Sequence, residues 1–195
     1  MTQGTEHVSP VTSAIARLSP LSAIEVEALE KIIHRKQLPR NTDLLKVGQV
    51  SYHMYFVNIG LVRVYYHRDD LDVTDYFAID QQFIGGVESL FTRQPSRKAI
   101  QLIEDSDLYY FSATDFEACC LKYHGIETAA RKLATFAFLE GQQRIESIRF
   151  YSAKERYDEL ERKYPGISNR CPLKYIASYL NITQVSLSRI RAGTQ

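Results

Sequence analysis

No apolar run in this 195-residue chain reaches the ~18 residues that a membrane-spanning helix needs. The opening stretch, Met1 to Ser9, is polar and holds no apolar signal core, so a cytoplasmic protein with no membrane contact is the expectation. Cysteine is scarce: Cys119, Cys120 and Cys171 are an odd set without paired spacing, which argues against a disulfide framework. The histidines, His7, His34, His53, His67 and His124, are scattered and form no His-x-His pair. A metal-dependent enzyme built on strands needs clustered His and carboxylate ligands, and that signal is missing. No nucleophile motif and no phosphate loop is present either. The sequence therefore assigns no catalytic residue, no metal site and no cofactor. Repeats and low-complexity tracts are lacking as well.

What is there is an ordinary globular balance, 45% hydrophobic and 24% charged, in a length that allows one large domain or a medium one plus a small one. Net charge is only +1, but it is unevenly placed. Residues 151–195 carry eight basic and four acidic side chains, a local +4; the remaining 16 basic and 19 acidic residues leave −3. A basic end on an acidic body suits a protein whose C-terminus meets phosphates.

Residues 13–36 carry a helical stripe of Ile15, Leu18, Leu21, Ile24, Val26, Leu29, Ile32 and Ile33, broken at Pro20 and restarted by Ser22 as a cap. After Pro39 the pattern changes to short runs rich in β-branched and aromatic residues. These are Leu44 to Gly48, Met54 to Val57, Leu61 to Tyr66, Val73 to Ile79, Ala99 to Ile103 and Leu108 to Phe111. Turn residues such as Asn58-Ile59-Gly60 and Arg68-Asp69-Asp70 separate them. Six or more closely spaced strands predict a sandwich or barrel. Helical periodicity returns after Ala113. Residues 125–150 read as one long helix, and 153–163 as another stopped by Pro165-Gly166. On the long helix Ile126, Ala130, Leu133, Ala137, Glu140, Arg144 and Ile148 follow a three-four spacing, with Phe136 and Leu139 beside it. Such a helix has too little body around it to cover both faces. It predicts a homodimer seam at Ile126, Ala130, Leu133, Phe136 and Ala137; packing on its own domain is the alternative.

The segment Leu173 to Ile190 is the most informative. Ile176, Leu180, Ile182, Leu187 and Ile190 fall where the small core of a helix-turn-helix must lie, and Ala177 is small where two helices touch. Asn181 stands at the turn, where a positive φ is needed and asparagine tolerates it. Thr183 can cap the second helix, and Pro172 precedes the first, where a missing N–H costs little. The second helix then presents Gln184, Val185, Ser186, Ser188 and Arg189 outward. Arginine suits guanine, glutamine suits adenine, and valine suits a thymine methyl. Thr183, Gln184, Val185, Ser186, Ser188 and Arg189 are thus candidate DNA contacts, with Lys174 and Arg191 as phosphate contacts.

In this order, the strand-rich front, long helix and terminal hairpin resemble the Crp/Fnr family from about Ser13 to Arg191. The resemblance rests on Leu21-Ser22, Leu44-Leu45-Lys46-Val47-Gly48, Tyr55-Phe56-Val57-Asn58-Ile59-Gly60-Leu61-Val62-Arg63 and Ile176-Ala177-Ser178-Tyr179-Leu180 with Leu187-Ser188-Arg189-Ile190-Arg191. It implies an α+β fold: an N-terminal β jelly roll of the cyclic-nucleotide-binding type with flanking helices, a long dimerisation helix, and a small helical helix-turn-helix domain. The corresponding spans are 1–124, 125–150 and 151–195. It also implies a homodimer on near-palindromic double-stranded DNA, RNA polymerase as a further partner, and a small anionic effector. The family's phosphate-binding stretch corresponds to Phe83 to Phe91 and Ser96 to Ile100, with Gly85, Gly86, Val87, Ser96, Arg97 and Lys98 as candidate pocket residues. Cyclic-nucleotide binders place a glutamate where Gly86 stands and an arginine where Ser96 stands, with Arg97 one residue late. This departure argues against tight binding of cyclic AMP. The cysteine cluster of the family's iron–sulfur variants is absent. A ligand-sensing jelly-roll module that acts through protein partners, without DNA binding, is the alternative function.

Overall fold

The computed structural model describes residues 8–69 and 71–193. Residues 1–7 of the polar opening, Asp70 of the Arg68-Asp69-Asp70 turn, and residues 194–195 lie outside the described residues.

Two capped helices lead into the strands. The Ser9 hydroxyl accepts from the Thr12 N–H to start α1 (Pro10–Leu18). Ser22 and Glu25 form a reciprocal capping box at the start of α2 (Ala23–Ile32), as the serine after Pro20 foretold. The expected helix over 13–36 runs too far, however. From His34 the backbone is extended, and β1 (His34–Leu38) pairs antiparallel with β8 (Ser106–Ser112). Strand pairing satisfies backbone groups that one more helical turn would have left on a polar, largely exposed segment.

The other strands are β2 (Asp43–Leu45), β3 (His53–Ile59), β4 (Leu61–Arg68), β5 (Leu71–Ile79), β6 (Gln82–Gly85) and β7 (Ala99–Leu102). They form two four-stranded antiparallel sheets, ordered β1-β8-β3-β6 and β2-β7-β4-β5. This is a jelly roll, and its interior is apolar: Val57, Val62, Val64, Ile100, Leu102 and Leu108 are all buried there. Alternation sends the neighbouring residues outward on both sheets. Phe56 and Phe111 on the first sheet meet Val11 and Ile15 of α1, Leu29 of α2 and Ile126. Leu61, Phe77 and Ile79 on the second sheet meet the C-terminal helices. Burial of each such side chain contributes about 1.5–3 kcal/mol.

After β8, α4 (Ala113–Lys122) and the long α5 (His124–Phe150) follow. The C-terminal head then comprises α6 (Ala153–Lys163), α7 (Ile167–Arg170), α8 (Leu173–Leu180) and α9 (Gln184–Arg191); α3 (Val87–Thr92) sits between β6 and β7. The head is docked on the outer face of the second sheet. A bulge helps: Val64 opposes Tyr76 but Tyr65 opposes Thr74, so Asp75 is the extra residue. The bulge re-aims Thr74, whose N–H donates to the Ser178 hydroxyl of α8 at 3.1 Å. Arg63, fully buried, lies with its guanidinium 4.0 Å from the Tyr65 ring and 3.6 Å from the Tyr175 ring of α8. Its Nε and Nη2 reach Gln101 Oε1 at 3.2 and 2.9 Å, and Nη2 reaches Asp72 at 3.2 Å. Nη1 has no hydrogen-bond partner among the described residues; the two aromatic faces are its compensation.

Arg170 makes the most connected contact. It donates to Asp80 at 2.7 Å, to Glu104 at 2.7 Å and to the Gly60 carbonyl at 2.9 Å. Gly60 has φ 135°, and a Cβ there would lie 2.3 Å from the Ser106 hydroxyl, so only glycine fits.

α5 needs a correction to the expected seam. Ile126 is fully buried in its own chain's core, so it anchors the helix and cannot line an interface. Leu133 and Ala130 are half-buried. Farther along the same line, Glu140 pairs with Lys163 at 3.4 Å, and Arg144 stacks 3.8 Å over Tyr179 and donates to its carbonyl. At Glu140 and Arg144 that line faces the head, whereas Phe136, Ala137 and Ile148 of the expected line are exposed. The exposed residues Ala134, Phe138, Gly141, Ile145 and Ile148 repeat at four and three instead, the period of a helix–helix seam.

Burial alone would raise the Asp80 carboxyl, but hydrogen bonds from Arg170 and the Gly60 N–H outweigh it and hold the group below 3.8. A carboxylate depressed in the folded state stabilises fully above that ordinary value, and the contribution is lost as pH falls through the folded value. Arg170→Ala should therefore destabilise the chain by about 1–3 kcal/mol at neutral pH, and the gap to wild type should shrink in acid. Thermal melting of both proteins between pH 7 and pH 3 checks this (a range set by the carboxylate values).

Candidate nucleic-acid interface and effector site

α8 and α9 are short, and each end is satisfied locally. Asn181 closes α8 at φ 54° and ψ 46°, the left-handed conformation anticipated for the turn. The Ile182 N–H returns to the Ala177 carbonyl at 3.0 Å, and Arg156 Nε donates to the Leu180 carbonyl at 3.2 Å, a cation at a helix C-terminus. Thr183 caps α9, its hydroxyl accepting from the Ser186 N–H at 3.1 Å. Ile176, Ala177, Leu180, Leu187 and Ile190 are all buried between the helices, with Ile182 packed against them.

This core fixes which side chains point away. Thr183, Gln184, Val185, Ser188, Arg189 and Arg191 are exposed on one head surface, and Lys174 is exposed on α8. Ser186 differs: it is half-buried and its hydroxyl lies 3.0 Å from that of Thr183, so it completes the cap rather than standing outward. The acidic residues of the head lie on α6 and not on α8 or α9. The arrangement offers a short helix with hydroxyl, amide, methyl and guanidinium groups, set off from the body by its own core.

The second candidate group gathers around α3. Gly86 precedes α3, and a Cβ there would lie 2.7 Å from Leu45 and 3.1 Å from Ser51, so the backbone is walled in. Gly85 is packed against Met54 and Leu90, and its carbonyl accepts from the Tyr76 hydroxyl at 2.8 Å. Val87 and Arg97 are exposed. Ser96 bonds within its own loop, its hydroxyl donating to the Lys98 carbonyl at 2.8 Å. The Lys98 ammonium is held by Asp75 at 2.6 Å.

Burial pushes the Cys120 and Cys171 thiols up to about 12, so neither is a thiolate near neutrality. Among the described residues no group of three or more His, Cys, Asp or Glu is placed to hold a metal ion, and no helix is long and apolar enough to cross a membrane. Arg170, Arg63 and Arg144 were missed as structural residues. No local signal marks them, because Arg170 meets carboxylates 66 and 90 positions away.

A turn that demands left-handed backbone makes a sharp test of the motif. Asn181→Val should destabilise the chain by roughly 1–2 kcal/mol, since a β-branched residue resists that conformation, whereas Asn181→Gly should melt within a degree or two of wild type.

The sequence profile of the cyclic nucleotide-binding domain matches residues 35–123. A search of curated protein sequences finds no match. Among solved structures, FixK2 from Bradyrhizobium japonicum is similar with a TM-score of 0.71 and 15% identity, covering 83% of this chain and 84% of that one. A regulator of the Crp/Fnr family from Eubacterium rectale is similar with a TM-score of 0.67 and 16% identity, over 89% and 83% of the two chains. The c-di-GMP responsive global regulator CLP from Xanthomonas campestris is similar with a TM-score of 0.67 and 14% identity, over 88% and 91%. Residues 35–123 thus match the cyclic nucleotide-binding domain, and the chain as a whole, with its long helix and helical head, has the fold of the Crp/Fnr regulators.

Proposed function

We propose that this protein is a DNA-binding transcription regulator that reads a near-palindromic site as a homodimer, with the jelly roll as its effector domain. One observation carries the reading. A helix-turn-helix with a satisfied turn and cap exposes Gln184, Val185, Ser188 and Arg189 on its second helix, with Lys174 and Arg191 beside it. Base edges in the major groove are read by residues at that end of a recognition helix, and flanking cations neutralise phosphates. The regulators of this fold among the similar structures support the reading.

Two heads require a seam, and α5 supplies one at Ala134, Phe138, Gly141, Ile145 and Ile148, with Ala137 alongside. Phe138 is 64% exposed and Ile145 and Ile148 are each 46% exposed in the single chain, a costly surface unless covered. Gly141 has no atom within 4 Å of where a Cβ would stand, which leaves room for a second helix to approach.

Arg189→Ala should weaken specific DNA binding by ~1–3 kcal/mol and relax preference at one base pair. Lys174→Ala should weaken all sequences alike and reduce the salt slope by about one. Selection from random duplexes, followed by titration at two salt concentrations, measures both; a wild type that selects no sequence sinks the DNA reading and favours a module acting through protein partners. Ile145→Asp changes an exposed residue, so the monomer should stay folded while the dimer is lost. Sedimentation at micromolar concentration reads the state, and a monomeric wild type overturns the seam. The effector domain should not take cyclic AMP tightly. Gly86 is walled in, Lys98 is paired with Asp75, and Arg97 is exposed, so neither candidate cation of the α3 stretch stands ready for a buried phosphate there. Isothermal titration showing a dissociation constant at or below low micromolar would contradict this.

A further inference from the structure

A different part of the jelly roll gathers basic side chains that make no ion pair among the described residues. Lys36 of β1 is half-buried, and its ammonium lies 4.7 Å from the Tyr55 ring centre and 4.6 Å from that of Tyr110. No hydrogen bond or ion pair is recorded for it among the described residues. His53 of β3 lies beside the same rings, 5.5 Å from Tyr110 and 6.3 Å from Tyr55, and His34 lies 5.4 Å from Tyr110. Two cross-strand registers bring these groups together: His34 opposes Tyr110, and Tyr110 opposes Tyr55. Lysine and histidine at i and i+2 then share the face that the two tyrosines occupy.

His53 and Tyr55 of this cluster line a cavity of about 410 Å³, together with Leu44, Leu45, Ser51 and Tyr52. No aspartate or glutamate lines it. On its far side Arg93 stands 5.7 Å from the Tyr52 ring, held at φ 58° at the end of α3. The cavity therefore combines apolar floor, hydroxyl and imidazole donors, and cations at both margins. Ordinary surface lysines are strongly hydrated and free to move; this one is pinned between two aromatic faces with its donors unspent.

We propose that this cavity binds a small oxyanion, a phosphate or carboxylate group on a compact organic body, with Lys36 and His53 as its principal contacts. The site deepens the effector reading, on which it rests for its regulatory meaning but not for its binding. It is distinct from the α3 stretch, where Lys98 is already paired and Arg97 is exposed. Burial lowers the protonation of both Lys36 and His53; Lys36 and His34 lower His53 further, while Asp115 opposes them. A bound anion reverses that balance and raises both groups.

Inorganic phosphate and citrate, titrated separately into the full chain at constant ionic strength, are the probes. Histidine ring resonances are followed by NMR, with chloride as the control. Either anion should shift His53 saturably, with half-saturation near or below about 1 mM, and should raise its titration midpoint. Phosphate alone or citrate alone acting would identify which group the site prefers. Lys36→Met keeps the side-chain stem over the rings and should weaken binding at least tenfold with an unchanged melting temperature. Arg97→Ala should leave binding intact. No saturable shift with either anion, an equal response to chloride, or full binding by a stably folded Lys36→Met protein overturns the proposal. Loss of binding in Arg97→Ala overturns it too, since that places the anion at the α3 stretch. A chain that ignores both anions yet selects a DNA sequence refutes the oxyanion site alone and leaves the regulator reading standing.

Discussion

The structure depends on how its C-terminal head is held against the jelly roll. Arg170 links the head to Asp80, Glu104 and the Gly60 carbonyl, and Arg63 enters the same interface from the sheet side between Tyr65 and Tyr175. Guanidinium groups suit this task because their planar donors engage carboxylates and carbonyls while their faces stack on aromatic rings. Around them Leu61, Phe77 and Ile79 share one apolar cluster with Tyr164, Ile176 and Tyr179. Charge supplies direction and apolar contact supplies the bulk of the attraction. Neither alone would define one orientation of the head.

That docking decides what the remaining surfaces can do. α8 is held against β5 through Thr74 and Ser178, so the outward face of the helix pair belongs to α9. Arg144 and Glu140 tie the second half of α5 to the same head, which leaves the line from Ala134 to Ile148 as the uncovered apolar face. The jelly-roll interior is filled by its own aliphatic side chains. Space for a small molecule is found at its margin, beside the tyrosines that hold Lys36. Sheet, helix and head thus share residues along one continuous set of contacts.

Local chemistry was legible wherever a residue's role depends on its near neighbours. Ser22 as a cap, Asn181 as the left-handed turn, Thr183 as the second cap and the strand-rich middle all follow from spacing and side-chain type. Readings that depended on which face meets what fared less well. Ile126 keeps the three-four rhythm of an interface, yet it is buried in its own core. Ser186 follows the outward pattern, yet its hydroxyl turns to Thr183. His34 to Lys36 fall within the expected helix, yet they pair as a strand with β8. In each case a partner distant in sequence, or a local bond, won over periodicity.

By itself the sequence determined the strand-rich middle and the long helix after it, the helix-turn-helix with its turn and caps, and the departures at Gly86 and Ser96, because periodicity, φ preference and hydrogen-bonding side chains act within a few residues. Only the tertiary structure decided the face of α5 left open, the three-way contact of Arg170, and the pairing of Lys98 with Asp75. It alone brought Lys36 and His53 together over Tyr55 and Tyr110. Those outcomes rest on strand register and on packing between elements far apart in the chain. Strand register places a side chain on one face or the other by a shift of a single residue.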